Sequence, residues 1–311
     1  MSTLAEKIAA HAKNAPMPGT TARPPVEGMP VHIDGDYLCY YCAGNDETSP
    51  GEARQRAIDR IKRAMEVSGA TRAIIHMSTV DCNKGYRFLV TDGAKHSKPY
   101  QGQRDKGRKP QNWQVLRDWI DDYSGDLFTV VQWRDREADD GMAWAAEQSF
   151  KLERPGAVLT ADKDMRMFAG LHIVWKTFEM VMVEPGCYDK FCGGLQYGHK
   201  WFWQQMVMGD TADFILGLPG AGKVAAEKTL ADTTNNLEAY RKVLDLYKSK
   251  LGDDYADHFV EQAVLLWMRT DAKAFVLDFR NLLPRHEWGT DIDRAMGRIL
   301  KRVMDHPSYG L

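Results

Sequence analysis

Ala157-Val-Leu-Thr-Ala-Asp-Lys-Asp164 is a short apolar run that stops on two carboxylates. A compact apolar run bounded by polar residues predicts a buried strand. Asp162 and Asp164 stand two positions apart, so on an extended backbone they share a face. The same pattern recurs along the chain. Val31-His-Ile33 runs into Asp34-Gly35-Asp36, and Phe128 to Trp133 (FTVVQW) is followed by Glu137-Ala-Asp139-Asp140. Ala73 to Met77 (AIIHM) and His172 to Trp175 are two further runs of strand length. Between them, Glu52 to Ser68 carries Ile58, Ile61 and Met65 at helical spacing. Glu137 to Phe150 offers Ala138, Met142, Ala145 and Ala146 as inward positions. Strands alternating with helices predict an α/β fold with a central, mainly parallel sheet flanked by helices. In such a sheet the ligand crevice lies beyond the carboxyl ends of the strands, where these acidic residues fall.

With 311 residues, 44% of them hydrophobic, the chain can bury a large core as one domain or two unequal ones. The formal charge of −2 gives no support for a nucleic-acid partner and does not exclude one, because basic patches can coexist with an acidic site. No run of about 20 apolar residues occurs, so no membrane span is expected. The first 20 residues lack the apolar run and cleavage site of a secretory signal and read as a short helix with a Pro/Gly-rich lead-in. Five cysteines, Cys39, Cys42, Cys82, Cys187 and Cys192, fit reduced thiols inside a cell. Cys39 and Cys42 have CxxC spacing, but the other pair has the wrong spacing for zinc, and buried free thiols are the expectation.

Divalent cations held by oxygen ligands can stabilise both the attacking and the leaving oxygen of a phosphodiester displacement. Mg²⁺ and Mn²⁺ prefer carboxylates, so such a site needs many Asp and Glu and no Cys. The chain supplies Asp34, Glu137/Asp139/Asp140, Asp162/Asp164 and Asp210/Asp213. Asp210 and Asp213 would share a face on a helix. One aspartate at a strand end is ordinarily a turn residue or a helix cap. The argument for metal rests on four clusters together, whose mutual repulsion calls for cations.

Two other segments stand out. From Val80 to Trp113 the chain is rich in Lys, Arg, Gly and Gln, with Tyr86, Phe88, Tyr100 and Trp113 interleaved; it reads as a mobile basic insertion. After Trp201 the pattern is mainly helical, over Glu227–Ala231, Asn236–Lys250, Asp253–Arg269 and Asp291–Val303. Gly217-Leu-Pro-Gly220-Ala-Gly222-Lys223-Val224 imitates a phosphate loop, but Val224 stands where Mg²⁺-binding Ser or Thr is needed and no strand precedes it. It fits better as a loop between two helices that grips a phosphate backbone without reading sequence.

Taken in order, Ile33-Asp34-Gly35, Glu137-Ala-Asp139-Asp140, Thr160-Ala-Asp162-Lys-Asp164 and Gly209-Asp210-Thr-Ala-Asp213 resemble the motifs of the flap endonuclease and 5′→3′ exonuclease superfamily. The spacing is most similar to 5′→3′ exonucleases of podovirus-type bacteriophages, over residues 31 to 231. The resemblance implies that Asp34, Glu137, Asp139, Asp140, Asp162, Asp164, Asp210 and Asp213 ligate two or more Mg²⁺ or Mn²⁺ ions, directly or through water. Asp81 is the candidate for a further family aspartate after the second strand, and Asp36 is peripheral. The basic insertion, about 81–113, would correspond to the family's arch. Its Tyr-Lys-Gly-x-Arg pattern becomes Tyr100-Gln101-Gly102-Gln103-Arg104, so Arg104 takes the phosphate-binding place. Lys98 or Lys106 would supply the cation missing at Gln101, with Arg87 and Tyr86 as further backbone or base contacts. Gly217, Gly220, Gly222 and Lys223 match the family's helix–loop–helix duplex grip, which often holds K⁺.

The organisation this implies is a lead-in over 1–30, an α/β nuclease domain over 31–200 and a helical DNA-binding region over 201–311. The implied activity is structure-specific 5′→3′ exonuclease and flap-endonuclease cleavage of DNA by two-metal hydrolysis, leaving 5′ phosphates. The expected setting is a monomer in the cytoplasm, that of a host cell if phage-encoded, working on DNA and with replication proteins. A PIN-like ribonuclease shares the acidic core, and a structural DNA-binding protein without catalysis is a reading from another class.

Overall fold

The strand Ala157–Thr160 sits in the middle of a six-stranded sheet, between the next strand in sequence and one more than 120 residues upstream. The computed structural model describes residues 22–104, 108–151, 156–270, 273 and 276–310, without the side chains of 150 and 151. Residues 1–21 of the expected lead-in and Lys106 lie outside them. In chain order the sheet strands are β1 (Val26–Asp34), β2 (Ala70–Ser78), β3 (Phe128–Trp133), β4 (Ala157–Thr160), β5 (Gly170–Val174) and β6 (Met180–Val183). They lie in the order β3-β2-β1-β4-β5-β6, parallel throughout except for the antiparallel edge strand β6. This order reverses between β1 and β4, and a crevice opens at the carboxyl ends of strands at such a switch point.

The crossover helices are α1 (Gly35–Cys42), α2 (Pro50–Ser68), α3 (Arg87–Thr91), α4 (Trp113–Asp121) and α5 (Ala138–Lys151). α2 begins with a capping box between Ser49 and Glu52 and ends at Gly69 in the left-handed region. Its buried stripe of Ala53, Ala57, Ile61 and Ala64 packs on Val31, Ile33, Ala73, Ile75 and Leu159 from one face of the sheet. Each large aliphatic side chain withdrawn there from water contributes roughly 2 kcal/mol. Gly35 lets the chain leave β1 tightly, because a Cβ there would lie 2.6 Å from the His76 carbonyl.

The opposite face packs through α5 onto the C-terminal helices α6 (Lys200–Met208), α7 (Lys223–Leu230), α8 (Asn236–Leu251), α9 (Tyr255–Leu266) and α10 (Thr290–Met304). One apolar core runs from Met142 and Val158 through Phe202 and Trp203 to Phe259 and Ile299, so the α/β and helical parts share an interior. Trp203 and Phe202 are core residues. No helix among the described residues is long and apolar enough to cross a membrane.

The structure departs from the sequence reading in three places. The basic insertion is not a bare mobile loop: Arg87–Thr91 is a helix with Leu89 and Val90 fully buried against α9 and α10. Two apolar residues in a polar stretch give no readable period, and their burial depends on helices over 160 residues downstream. Asp210 and Asp213 do not share a helix. Gly209 ends α6 at φ 73, and a turn closed by the Asp210–Ile215 bridge carries both aspartates. The sheet also gains β6, and a small hairpin, β7 (Lys190–Cys192) with β8 (Leu195–Tyr197), lies beside it in sequence.

Candidate active site

At the β1/β4 switch point a cleft of about 600 Å³ is lined by Asp34, Glu137, Asp139, Asp162, Asp164, Asp210 and Asp213, with Gln101, Arg104, Lys163 and Arg166 among them. Asp34 ends β1 and caps α1, accepting from the Tyr37 amide at 2.9 Å and from the Thr160 hydroxyl at 3.0 Å. Glu137 precedes α5 and Asp139 lies in its first turn. Asp162 follows β4, and its carboxylate accepts from the Asp164 amide at 2.8 Å. Asp164 is held from behind by Trp201 Nε1 at 3.1 Å and Gln205 Nε2 at 2.8 Å, both on α6. Lys163 donates to Asp210 at 2.6 Å. Arg104 donates to Asp213, and its Nε reaches the Ala212 carbonyl at 3.3 Å.

Crowding and burial leave their mark on these acids. Burial, then the Asp36 charge, push the Asp34 carboxyl up to about 6. Burial and Asp210 do the same to Asp164, also to about 6. Asp139 rises well above the usual carboxylate range through burial and the charges of Glu137 and Asp140; Asp162 does so through burial and Asp164. Glu137 is raised by burial, against the pull of Arg87. These are groups that give up protons readily only when positive charge arrives.

Two sets of carboxylate oxygens come within 4.8 Å of one another: Glu137, Asp139 and Asp140, and separately Asp164, Asp210 and Asp213. The donors are all hard oxygens, and all but Asp140 line an open cleft, so the residues present fit divalent cations of the Mg²⁺ or Mn²⁺ type. No such group among the described residues contains a cysteine.

No protein-family model matches the sequence, and no curated protein matches it. Solved structures do. The D15 protein of bacteriophage T5 co-crystallised with metal ions superposes with a TM-score of 0.54 at 15% identity, over 88% of this chain and 98% of that one. The bacteriophage T5 flap endonuclease in a pseudo-enzyme–product complex with DNA and metal ions gives 0.54 at 14% identity, over 89% and 99%. The T5 5′-exonuclease with bound zinc gives 0.52 at 16%, over 88% and 98%. The chain has the flap-endonuclease and 5′-exonuclease fold. Within that fold, seven of the eight principal carboxylates read from the sequence line one cleft.

The eighth does not. Asp140 is fully enclosed, and Arg87 holds both its oxygens, at 2.6 and 2.7 Å. The Arg269 amide adds a bond at 2.9 Å. Burial alone would raise its pKa; Arg87 and Arg269 outweigh that and hold it down at about 2. Proximity to Glu137 and Asp139 groups Asp140 with them, but its oxygens are spent on guanidinium and amide donors. Arg87 is correspondingly buried behind the cleft rather than open to a phosphate, and also donates to the Trp267 carbonyl.

Other expected residues fall elsewhere. Asp81 lies in the turn beyond β2, exposed and paired with Arg134 at 2.7 Å; β2 ends at the cleft on Ser78, which offers no carboxylate. Asp36 does line the cleft, with its carboxylate taken up by Arg117 and the Ser78 amide. Lys98 is exposed and does not line the cleft. The cation at Gln101 is Lys84, whose Nζ lies 2.8 Å from Gln101 Oε1. Tyr100 is buried, with its hydroxyl donating to Glu137 at 2.8 Å, and Tyr86 packs against Tyr309. Lys84, Trp201 and Gln205 escaped the sequence reading because no local pattern marks a donor that reaches the site from another segment.

The glycine loop joins α6 to α7. Gly217 is fixed inside the fold: a Cβ would meet Gly209 N at 2.2 Å, its N–H donates to Gln262 and its carbonyl accepts from His258. Gly220 and Gly222 have open space beside them, and Lys223 is largely exposed at the start of α7.

Proposed function

We propose that this chain is a metal-dependent 5′→3′ exodeoxyribonuclease with flap-endonuclease capacity, hydrolysing DNA phosphodiesters to leave 5′ phosphates. The observation that carries the reading is the convergence of seven carboxylates from β1, α5, β4 and the α6–α7 connection on one cleft with Arg104 on its rim. Mg²⁺ or Mn²⁺ ions held there would stabilise the attacking and leaving oxygens of the displacement. Asp34 and Asp162 line the same cleft and would add carboxylate oxygens to those of the two sets. Trp201 and Gln205 fix the Asp164 rotamer, so less order is lost when an ion binds. Arg104 is half exposed and can exchange Asp213 for a phosphate oxygen once a cation shares that carboxylate. The open N-terminus of α7 beside Gly220 and Gly222, with Lys223, suits the phosphate backbone of a duplex. K⁺ at that loop would bind carbonyls other than that of Gly217, which His258 already engages.

The test is digestion of a 5′-labelled duplex carrying a 5′ overhang or flap, with Mg²⁺ and with EDTA. Short 5′-phosphorylated products that appear only with metal are expected. Absence of cleavage with Mg²⁺ and Mn²⁺ would sink the proposal, and cleavage confined to RNA would replace it with a ribonuclease.

A further inference from the structure

Four cations around the cleft are matched to carboxylates: Arg104 to Asp213, Lys163 to Asp210, Arg117 to Asp36 and Arg87 to Asp140. Lys84 is different. Its ammonium donates to the side-chain oxygen of Gln101 at 2.8 Å, a neutral acceptor that leaves the positive charge uncancelled. The other end of the same amide donates to Glu137 Oε1 and to Asp213 Oδ1, each at 3.0 Å. The orientation of this amide is settled by chemistry: an ammonium only donates and carboxylates only accept, so oxygen faces Lys84 and nitrogen faces the acids. Glu137 belongs to one carboxylate set and Asp213 to the other, so Gln101 bridges the two.

The backbone supports the pair at some cost. Five non-glycine residues among those described have positive φ, and two of them are Lys84 at 49° and Gln101 at 54°. Side chains seldom sit there unless the surroundings enforce it, and such strain concentrates at functional sites. Gln101 is buried, its own N–H is bonded to the Asp213 carbonyl at 3.0 Å, and it lines the cleft while Lys84 stands behind it.

We propose that Lys84 is a positioning residue of this site, delivering positive charge to the two carboxylate sets through the Gln101 amide. The inference rests on the nuclease reading for its catalytic part only. A fixed charge one amide behind the acids restrains the affinity for divalent cations and favours phosphate, whose developing negative charge it faces. Neither residue needs to gain or lose a proton.

The experiment is a charge relocation. Lys84→Met, Lys84→Arg, Gln101→Lys and the double variant Lys84→Met/Gln101→Lys are compared with wild type in two measurements. These are Mn²⁺ titration of the DNA-free protein by calorimetry and single-turnover cleavage of the 5′-flap duplex, after melting curves show each variant folded. Removal of one like charge near a divalent ion should tighten Mn²⁺ binding by roughly fivefold in Lys84→Met. Cleavage at saturating DNA should fall roughly tenfold or more with KM little changed. The double variant, with the charge moved to position 101, should return both values toward wild type, and Lys84→Arg should retain both. Unchanged Mn²⁺ affinity in Lys84→Met overturns the proposal, as does a folded double variant that restores neither quantity. A wild-type protein that does not cleave would defeat the nuclease reading instead, while the Mn²⁺ titration would still decide the role of Lys84. If Lys84→Met does not fold, the folded double variant against wild type still decides, because values far from wild type in both measurements overturn the proposal.

Discussion

Arg87 grips Asp140 with two parallel hydrogen bonds, Nη1 to Oδ2 at 2.6 Å and Nη2 to Oδ1 at 2.7 Å, in a place closed to solvent. The pair joins α5 to α3; the Arg269 amide donates to Asp140, and Arg87 donates to the Trp267 carbonyl, so both are tied to the segment after α9. An acid that the motif places among metal ligands therefore serves here as the counter-ion of a buried arginine.

Asp140→Asn should act mainly on stability. It leaves two buried guanidinium groups against a neutral amide, at a cost of roughly 3 kcal/mol or more. Urea denaturation checks this, and a loss under about 1 kcal/mol would contradict the pairing. Because the Asp140 pKa is depressed to about 2, its contribution is present above the unfolded value near 4 and is lost as pH falls through about 2.

Asp164→Ala should abolish cleavage and leave duplex binding within a few-fold, since Asp164 faces the cleft and its carboxylate is hydrogen-bonded to Trp201 and Gln205 rather than to a phosphate-binding cation. Gel-shift titration beside the cleavage assay separates the two. Equal loss of both would count against Asp164 as a metal ligand.

Metal should stabilise the fold more as pH rises from 5 to 7. Asp34 and Asp164 titrate at about 6 in the folded chain. Their contribution without metal is complete below the unfolded value of about 4 and is lost as pH rises through 6. The buried histidines His32, His172 and His199, held down at about 4 by burial, work in the opposite direction in the same window. The readout is therefore the melting temperature with Mn²⁺ minus that with EDTA, in which the histidines cancel. A difference that is flat from pH 5 to 7 would remove these two carboxylates from the metal site.

Asp81→Asn should leave cleavage and Mn²⁺ binding unchanged, because Asp81 is exposed on Arg134. Arg104→Ala should slow single-turnover cleavage roughly 100-fold, the usual loss for one donor aimed at developing charge. If the two variants behaved alike, the boundary drawn around the cleft would be wrong.

Lys223→Ala should weaken duplex binding uniformly across sequences and lower the slope of log affinity against log salt by about 1. Fluorescence anisotropy at several salt concentrations measures it. An unchanged slope would place the duplex elsewhere.

The strands were legible because a buried parallel strand announces itself locally: FTVVQW and AVLT appear at the positions read from their apolar runs. Asp34, Glu137, Asp139, Asp162 and Asp164 were legible because each follows such a run, and strand ends share one edge of the sheet. Asp210 and Asp213 were found for the right cleft on the wrong backbone, since a spacing of three fits a turn as well as a helix.

Sequence alone determined the strands β1 to β5 and the acids that follow β1, β3 and β4, because side-chain direction along a strand has a fixed period and needs no partner. Tertiary structure decided what each charge faces. Asp140 turns to Arg87 and Arg269, and Lys84 reaches Gln101, across separations of 53, 129 and 17 residues. Those pairings follow from the desolvation of charges brought together by packing, a condition that exists only once the helices after Trp201 have closed over α3 and α5.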